Sequence, residues 1–165
     1  TRKEKMMMSR PKFSTNSTVA RNRKLVLEAF KSLRKQGLIA RANFLCCSSC
    51  AGFEIASYVS NLPKEKVKRI KGCVFWHKQD EDNIWKYGEM YLAYGSIDSS
   101  EHGKIGLPTK EVGELVVRAL KEQGLSVEWN GDPHVRILVN MTAPNEVRSK
   151  PKLDESQVAL GSALS

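Results

Sequence analysis

The sequence has no apolar run of the length a bilayer-spanning helix needs, which argues against a membrane span. Its basic start, "TRKEKMMMSRPKF", leads into no apolar stretch. No secretory signal is read there, and a reducing cytosol is the expected setting. Histidine is scarce at three residues and cysteine at four. A second Cys-x-x-Cys, a His-x-x-x-His, a glycine-rich phosphate cradle and an aromatic RNA-recognition motif are all missing. A complete four-ligand metal motif and the common nucleotide-binding signatures are therefore not written in the chain.

Acid is short in the front half. Residues 1–72 carry seventeen Lys or Arg against four Asp or Glu, whereas residues 73–140 carry seven against eleven. The remaining tail is neutral within a formal charge of +9. This asymmetry points to an anionic partner, either nucleic acid or an acidic protein surface. A solvated surface with a basic arm explains the same counts. The densest run is "PKEKVKRIKG", where Lys64, Lys66, Lys68, Arg69 and Lys71 surround Val67 and Ile70. Such cations suit salt-sensitive, sequence-indifferent phosphate contacts.

What is present is one crowded stretch, "NFLCCSSCAGFEI", which places Cys46, Cys47 and Cys50 within five positions. A strand ending near Cys46 and a helix starting at Ser48 or Ser49 would put these thiols at a helix N-terminus. There the helix dipole favours thiolate, the form that binds metal and attacks disulfides. Three readings fit: a zinc half-site, a redox Cys47–Cys50 pair, or thiols packed into a tight turn. Zinc normally takes four ligands, and His77 and Asp80 of "HKQDED" are the candidates to complete the set. Cys73 and His77, four apart in an expected strand, would sit roughly 13 Å apart along it, which disfavours their sharing an ion. His77 could also serve as a base, and Asp80 could cap a following helix. His102 and His134 lie beside turns and are expected at the surface.

The chain divides into a basic mobile arm at 1–16, a single α+β domain at 17–140 and a polar tail at 141–165. Apolar spacing predicts a helix from Ser17 or Thr18 to Gln36, ended by Gly37, a strand in "ARANFLCC", and a helix from Ser48 towards Pro63 with Ala51, Ile55, Val59 and Leu62 inward. "CVFWH" and "MYLAYG" read as strands, with a helical turn or loop over 80–88 between them. Residues 109–123 carry a clear amphipathic stripe, and "LSVEWNGDPHVRILVN" reads as a hairpin turning at Asn130-Gly131. Val135, Ile137 and Val139 would share one face of it. The expected architecture is a four- or five-stranded antiparallel or mixed sheet with helices packed on one face.

The pieces "FLCCSSCAGFEI", "GCVFWHKQD", "YLAYG", "VGELVVRALKEQGLSVEWNG" and "RILV", in this order and spacing, resemble a bacterial family defined only as a domain of unknown function. The resemblance covers about residues 25–139. It implies a site at Cys46, Cys47 and Cys50 together with His77, Gln79 and Asp80, and it places Cys73 where the family looks aromatic. The resulting expectation is a small cytosolic binding or regulatory module with a zinc-binding cysteine site and a basic front half that meets an anionic partner. The alternative is an enzyme, acting by thiol redox through Cys47 and Cys50 or by metal-assisted hydrolysis with His77.

Overall fold

A computed structural model describes residues 2–144. From residue 145 onward the expected polar tail lies outside the described residues. No helix among them is long and apolar enough to cross a membrane.

Helix α1 (Arg2–Lys35) starts upstream of Ser17, where the periodic apolar pattern begins. Its buried stripe, Val19, Val26, Ala29, Phe30 and Leu33, falls inside the part that the pattern marks. Gly37 follows at φ 105, and a Cβ there would lie 2.6 Å from the Arg69 carbonyl oxygen. Only glycine fits both demands. Strand β1 (Leu38–Arg41) is four residues long; it takes in only Ala40 and Arg41 of the stretch expected to be a strand, because Asn43 and Leu45 adopt positive φ.

Next come α2 (Ser48–Ser60), the short α3 (Lys64–Val67), β2 (Gly72–Phe75) and α4 (Lys78–Tyr87). The last is a full helix where the sequence suggested one turn. Strand β3 (Glu89–Gly95) is followed by a small hairpin, β4 (Ile97–Ser99) and β5 (Gly103–Ile105), then α5 (Thr109–Glu122), β6 (Ser126–Glu128) and β7 (Ile137–Asn140). The final pair is antiparallel as expected, with Val127 opposite Val139. Its strands are joined by a longer loop, so Val135 precedes β7 and is exposed instead of sharing the face of Ile137 and Val139.

The five-stranded sheet has the order β1-β2-β3-β7-β6. Only β1 and β2 are parallel, with Leu38 beside Gly72 and Arg41 beside Phe75. The sheet is therefore mixed, and the fold is α+β. Alternation splits its side chains between two cores. Leu38, Ala40, Val74, Trp76, Leu92 and Val139 face the apolar stripes of α1 and α5. Ile39, Cys73 and Phe75 face Ala51, Ile55 and Val59 of α2, together with Ile97 and Ile105 of the hairpin. Helices thus lie on both faces rather than one, because the β1-to-β2 crossover carries α2 over the far side. Past β7, Met141 is fully buried, and the Asn22 side-chain amide donates to the carbonyls of Met141 (2.8 Å) and Ala143 (2.9 Å).

Candidate metal centre

The loop between β1 and α2 is held by its backbone. The Phe44 N–H donates to the Trp76 carbonyl at 2.8 Å, and the Leu45 carbonyl accepts from the Lys78 N–H at 2.9 Å. The Phe44 ring also meets Phe75 edge-on at 6.5 Å. These ties support left-handed φ values of 48° at Asn43 and 60° at Leu45, a conformation that costs about 1–2 kcal/mol for an L-residue such as leucine. Cys46 follows this anchored bend directly.

Cys47 occupies the N-cap of α2 in extended conformation, and Cys50 is in the first turn. Cys46 Sγ lies 3.7 Å from Cys47 Sγ and 3.5 Å from Cys50 Sγ. All three sulfurs fall within 4.8 Å of one another. Cys46 and Cys50 are exposed and Cys47 is partly so, and all are free thiols. No acidic residue occupies the first turn of α2, so nothing there opposes negative charge on sulfur.

Cys47 and Cys50 are shifted in opposite directions. The Cys50 backbone N–H acts first, and then the Cys46 and Cys50 thiols, to hold Cys47 below the ordinary cysteine range. That first influence is electrostatic rather than a complete hydrogen bond, since Cys47 makes no side-chain cap bond. Cys50 is pushed up to about 11, first by its interactions with the Cys46 and Cys47 side chains. Of these two thiols, Cys47 therefore gives up its proton more readily than Cys50. Further thiolates need a cation to offset their repulsion.

Cys73 sits apart in β2. It is buried in the α2-facing core, and desolvation pushes its thiol up to about 12. A thiol-specific alkylating reagent should thus modify Cys47 faster than Cys50, reach all three exposed or partly exposed thiols without unfolding, and modify Cys73 only on unfolding. Fast labelling of all four would mean that the β2–α2 interface opens readily.

His77 and Asp80 are buried, but neither joins the three-cysteine group. His77 is the N-cap of α4, not a strand residue. Its Nδ1 accepts from the Asp80 N–H at 3.4 Å, and the Asp80 carboxylate accepts from the His77 N–H at 3.3 Å, closing a capping box. Asp80 Oδ2 also lies 3.2 Å from His77 Nε2 and accepts from the Arg136 guanidinium at 2.5 Å. Arg136 donates in addition to the Tyr91 carbonyl at 2.7 Å and lies over the Tyr91 ring. Arg136 was not legible as a site residue, since nothing local in "HVRILV" links it to a carboxylate 56 positions away. Gln79 is exposed, as is His134, whereas His102 is half-buried, its Nε2 3.0 Å from the Leu62 carbonyl oxygen.

Lys64, Lys66, Lys68, Arg69 and Lys71 are all exposed on α3 and the turn behind it. A separate surface depression of about 250 Å³ lies between α2 and the β4–β5 hairpin, bounded by Phe53, Ser60 and Asp98. It includes none of the residues singled out in the sequence.

A family model described as "Domain of unknown function (DUF6891)" matches residues 18–143. No curated protein and no solved structure matches the chain.

Proposed function

We propose that this chain, which belongs to the DUF6891 family, is a small metal-binding module in which Cys46, Cys47 and Cys50 hold one zinc ion. The observation that carries this reading is the convergence of three sulfurs within 4.8 Å at an exposed turn. Zinc–sulfur bonds of about 2.3 Å set the sulfurs of a tetrahedral ion about 3.8 Å apart. The spacings of 3.7 and 3.5 Å already approach that value. The donor set also suits the ion chemically, because thiolate sulfur is a favoured zinc ligand.

Bound zinc would supply positive charge and Lewis acidity at this turn. The chain supplies the thiolates and holds the loop through Phe44 and Leu45. The capping box engages His77 and Asp80, and no other described residue joins the three cysteines, which leaves the fourth position open to a further ligand. Open positions belong to zinc sites that exchange or act on a ligand, rather than to closed structural ones. A reducing compartment such as the cytosol keeps the thiols available.

Native mass spectrometry of protein purified without chelator, followed by zinc titration, tests this. One ion per chain is expected. A Cys46→Ser, Cys47→Ser, Cys50→Ser triple variant should hold none, and Cys73→Ser should hold a full complement. Losing one ligand, as in Cys47→Ser, should weaken binding by more than the roughly 10–100-fold typical of outer-shell changes. Chelation should leave the far-ultraviolet circular dichroism unchanged, since the thiols belong to neither core cluster. An ion retained by the triple variant overturns the reading. So does a metal-free wild type that readily forms a Cys47–Cys50 disulfide, which would favour the thiol-redox alternative.

A second function rests on a separate observation. The five cations of residues 64–71 are exposed, and none takes part in an ion pair among the described residues. We propose that this segment contacts an anionic partner.

A further inference from the structure

We infer that the basic segment belongs to a composite surface built to lie against the phosphate backbone of double-stranded nucleic acid. This inference rests on the anionic-partner reading and names the partner. The first observation is how the fold extends the patch. The Lys71 N–H donates to the Gly37 carbonyl at 2.8 Å. At Gly37 a Cβ would also come within 3.3 Å of the Lys71 side chain. The turn that ends α1 is therefore packed on residues 69–71, and exposed Lys35 of the last α1 turn precedes that contact by two residues. Of the neighbouring α1 cations, Lys31 pairs with Glu28, and Arg34 donates to the Ala40 carbonyl. Lys35 has no such engagement. Six cations without an ion pair among the described residues result: Lys35, Lys64, Lys66, Lys68, Arg69 and Lys71. Within 64–71 only Glu65 opposes them.

The second observation is what the surface lacks. The exposed large hydrophobics among the described residues are Leu45, Phe53, Tyr58, Trp85, Tyr87 and Val135, and none falls in this segment. Val67 is buried in the α2-side core, and Ile70 packs against it. Protein interfaces concentrate their binding energy in apolar and aromatic anchors with few charges at the centre. Single-strand binders stack bases on exposed aromatic rings. A surface with neither feature, and with five lysines to one arginine, is suited to point-charge contact with phosphates and poorly suited to reading bases. The duplex backbone is the anion that asks for nothing more.

The test is fluorescence anisotropy with the full chain and three probes: a short DNA duplex, a thymidine single strand of equal length, and poly-glutamate. Duplex affinity should be indifferent to sequence. With six phosphates contacted it should fall about 10³-fold between 50 mM and 200 mM salt. Lys35→Gln should reduce the slope of log affinity against log salt by about 1, and changing all five cations of 64–71 to Gln by about 4–5. These positions are exposed, and circular dichroism would confirm that the variants fold. Equal or tighter binding of the single strand or of poly-glutamate overturns the duplex assignment and leaves an anionic partner standing. Failure to bind any probe removes both. Duplex binding with a slope that these variants leave unchanged overturns the surface itself.

Discussion

Trp76→Ala is expected to reduce the unfolding free energy by about 3–5 kcal/mol, measured by urea denaturation against the wild type. Trp76 is fully buried, and its ring meets Phe30 at a centroid distance of 5.3 Å. It fills the space where α1, β2 and the start of α4 meet. Its Nε1–H donates to Glu81 at 2.8 Å, and the same carboxylate accepts from Arg23 at 2.9 Å and from Trp85 at 2.9 Å. Alanine would leave a cavity and remove one of those donors. The environment of Glu81 gives the effect a pH signature. Burial alone would raise its pKa, but the bonds from Arg23, Trp76 and Trp85 outweigh burial and hold it below the usual carboxylate value of 4.5. A pKa depressed on folding contributes stability that is present above the unfolded value and is lost as pH falls through the folded one. The wild type should therefore lose this increment on acidification, and Trp76→Ala should show a shallower acid limb. A loss below about 1.5 kcal/mol, the range of tolerated core swaps, would mean that this indole does not anchor the α1–sheet interface.

The second large effect is expected at Asp80, which is buried between His77 and Arg136. Asp80→Ala removes a capping-box carboxylate and strands a guanidinium. Removing one partner of a buried ion pair costs about 3–5 kcal/mol. The Arg136 side chain retains 37% exposure, so the low end, about 3 kcal/mol, applies here. Pairing Asp80→Ala with Arg136→Met should cost clearly less than the sum of the single changes, with a coupling of roughly 0.5–3 kcal/mol. Strict additivity in this cycle would show that the two groups do not support each other. The node also borders the cysteine loop, because Lys78, next to His77, holds the Leu45 carbonyl.

Legibility followed sequence distance. Helix α5 was readable almost to its ends, since its stripe is local and Pro108 and Gly124 flank it. The region around the cysteines was readable in content but not in shape. Strand β1 came earlier than expected because positive φ at Asn43 and Leu45 is sustained by bonds to residues 76–78, which no local pattern announces. His77 read as a strand residue because "CVFWH" is rich in strand formers, yet the capping box with Asp80 competes for it and prevails. The β4–β5 hairpin has strands of only three residues, too short for a two-residue period to stand out.

By itself the sequence determined that Cys46, Cys47 and Cys50 lie at one turn before a helix, but only the folded loop decided that the Cys46 sulfur turns toward the other two. It also determined the α1, α2 and α5 apolar stripes, the glycine at the end of α1 and the excess of cations in residues 1–72. The tertiary structure alone decided the rest. The parallel pairing of β1 and β2 carried α2 to the far face, Arg136 closed on Asp80 across 56 positions, and Lys71 met the turn after α1. The difference is physical. Spacing within a turn or helix is set by backbone geometry, which any sequence segment carries with it. Contacts between distant residues form only when burial of the two cores fixes which strands lie side by side.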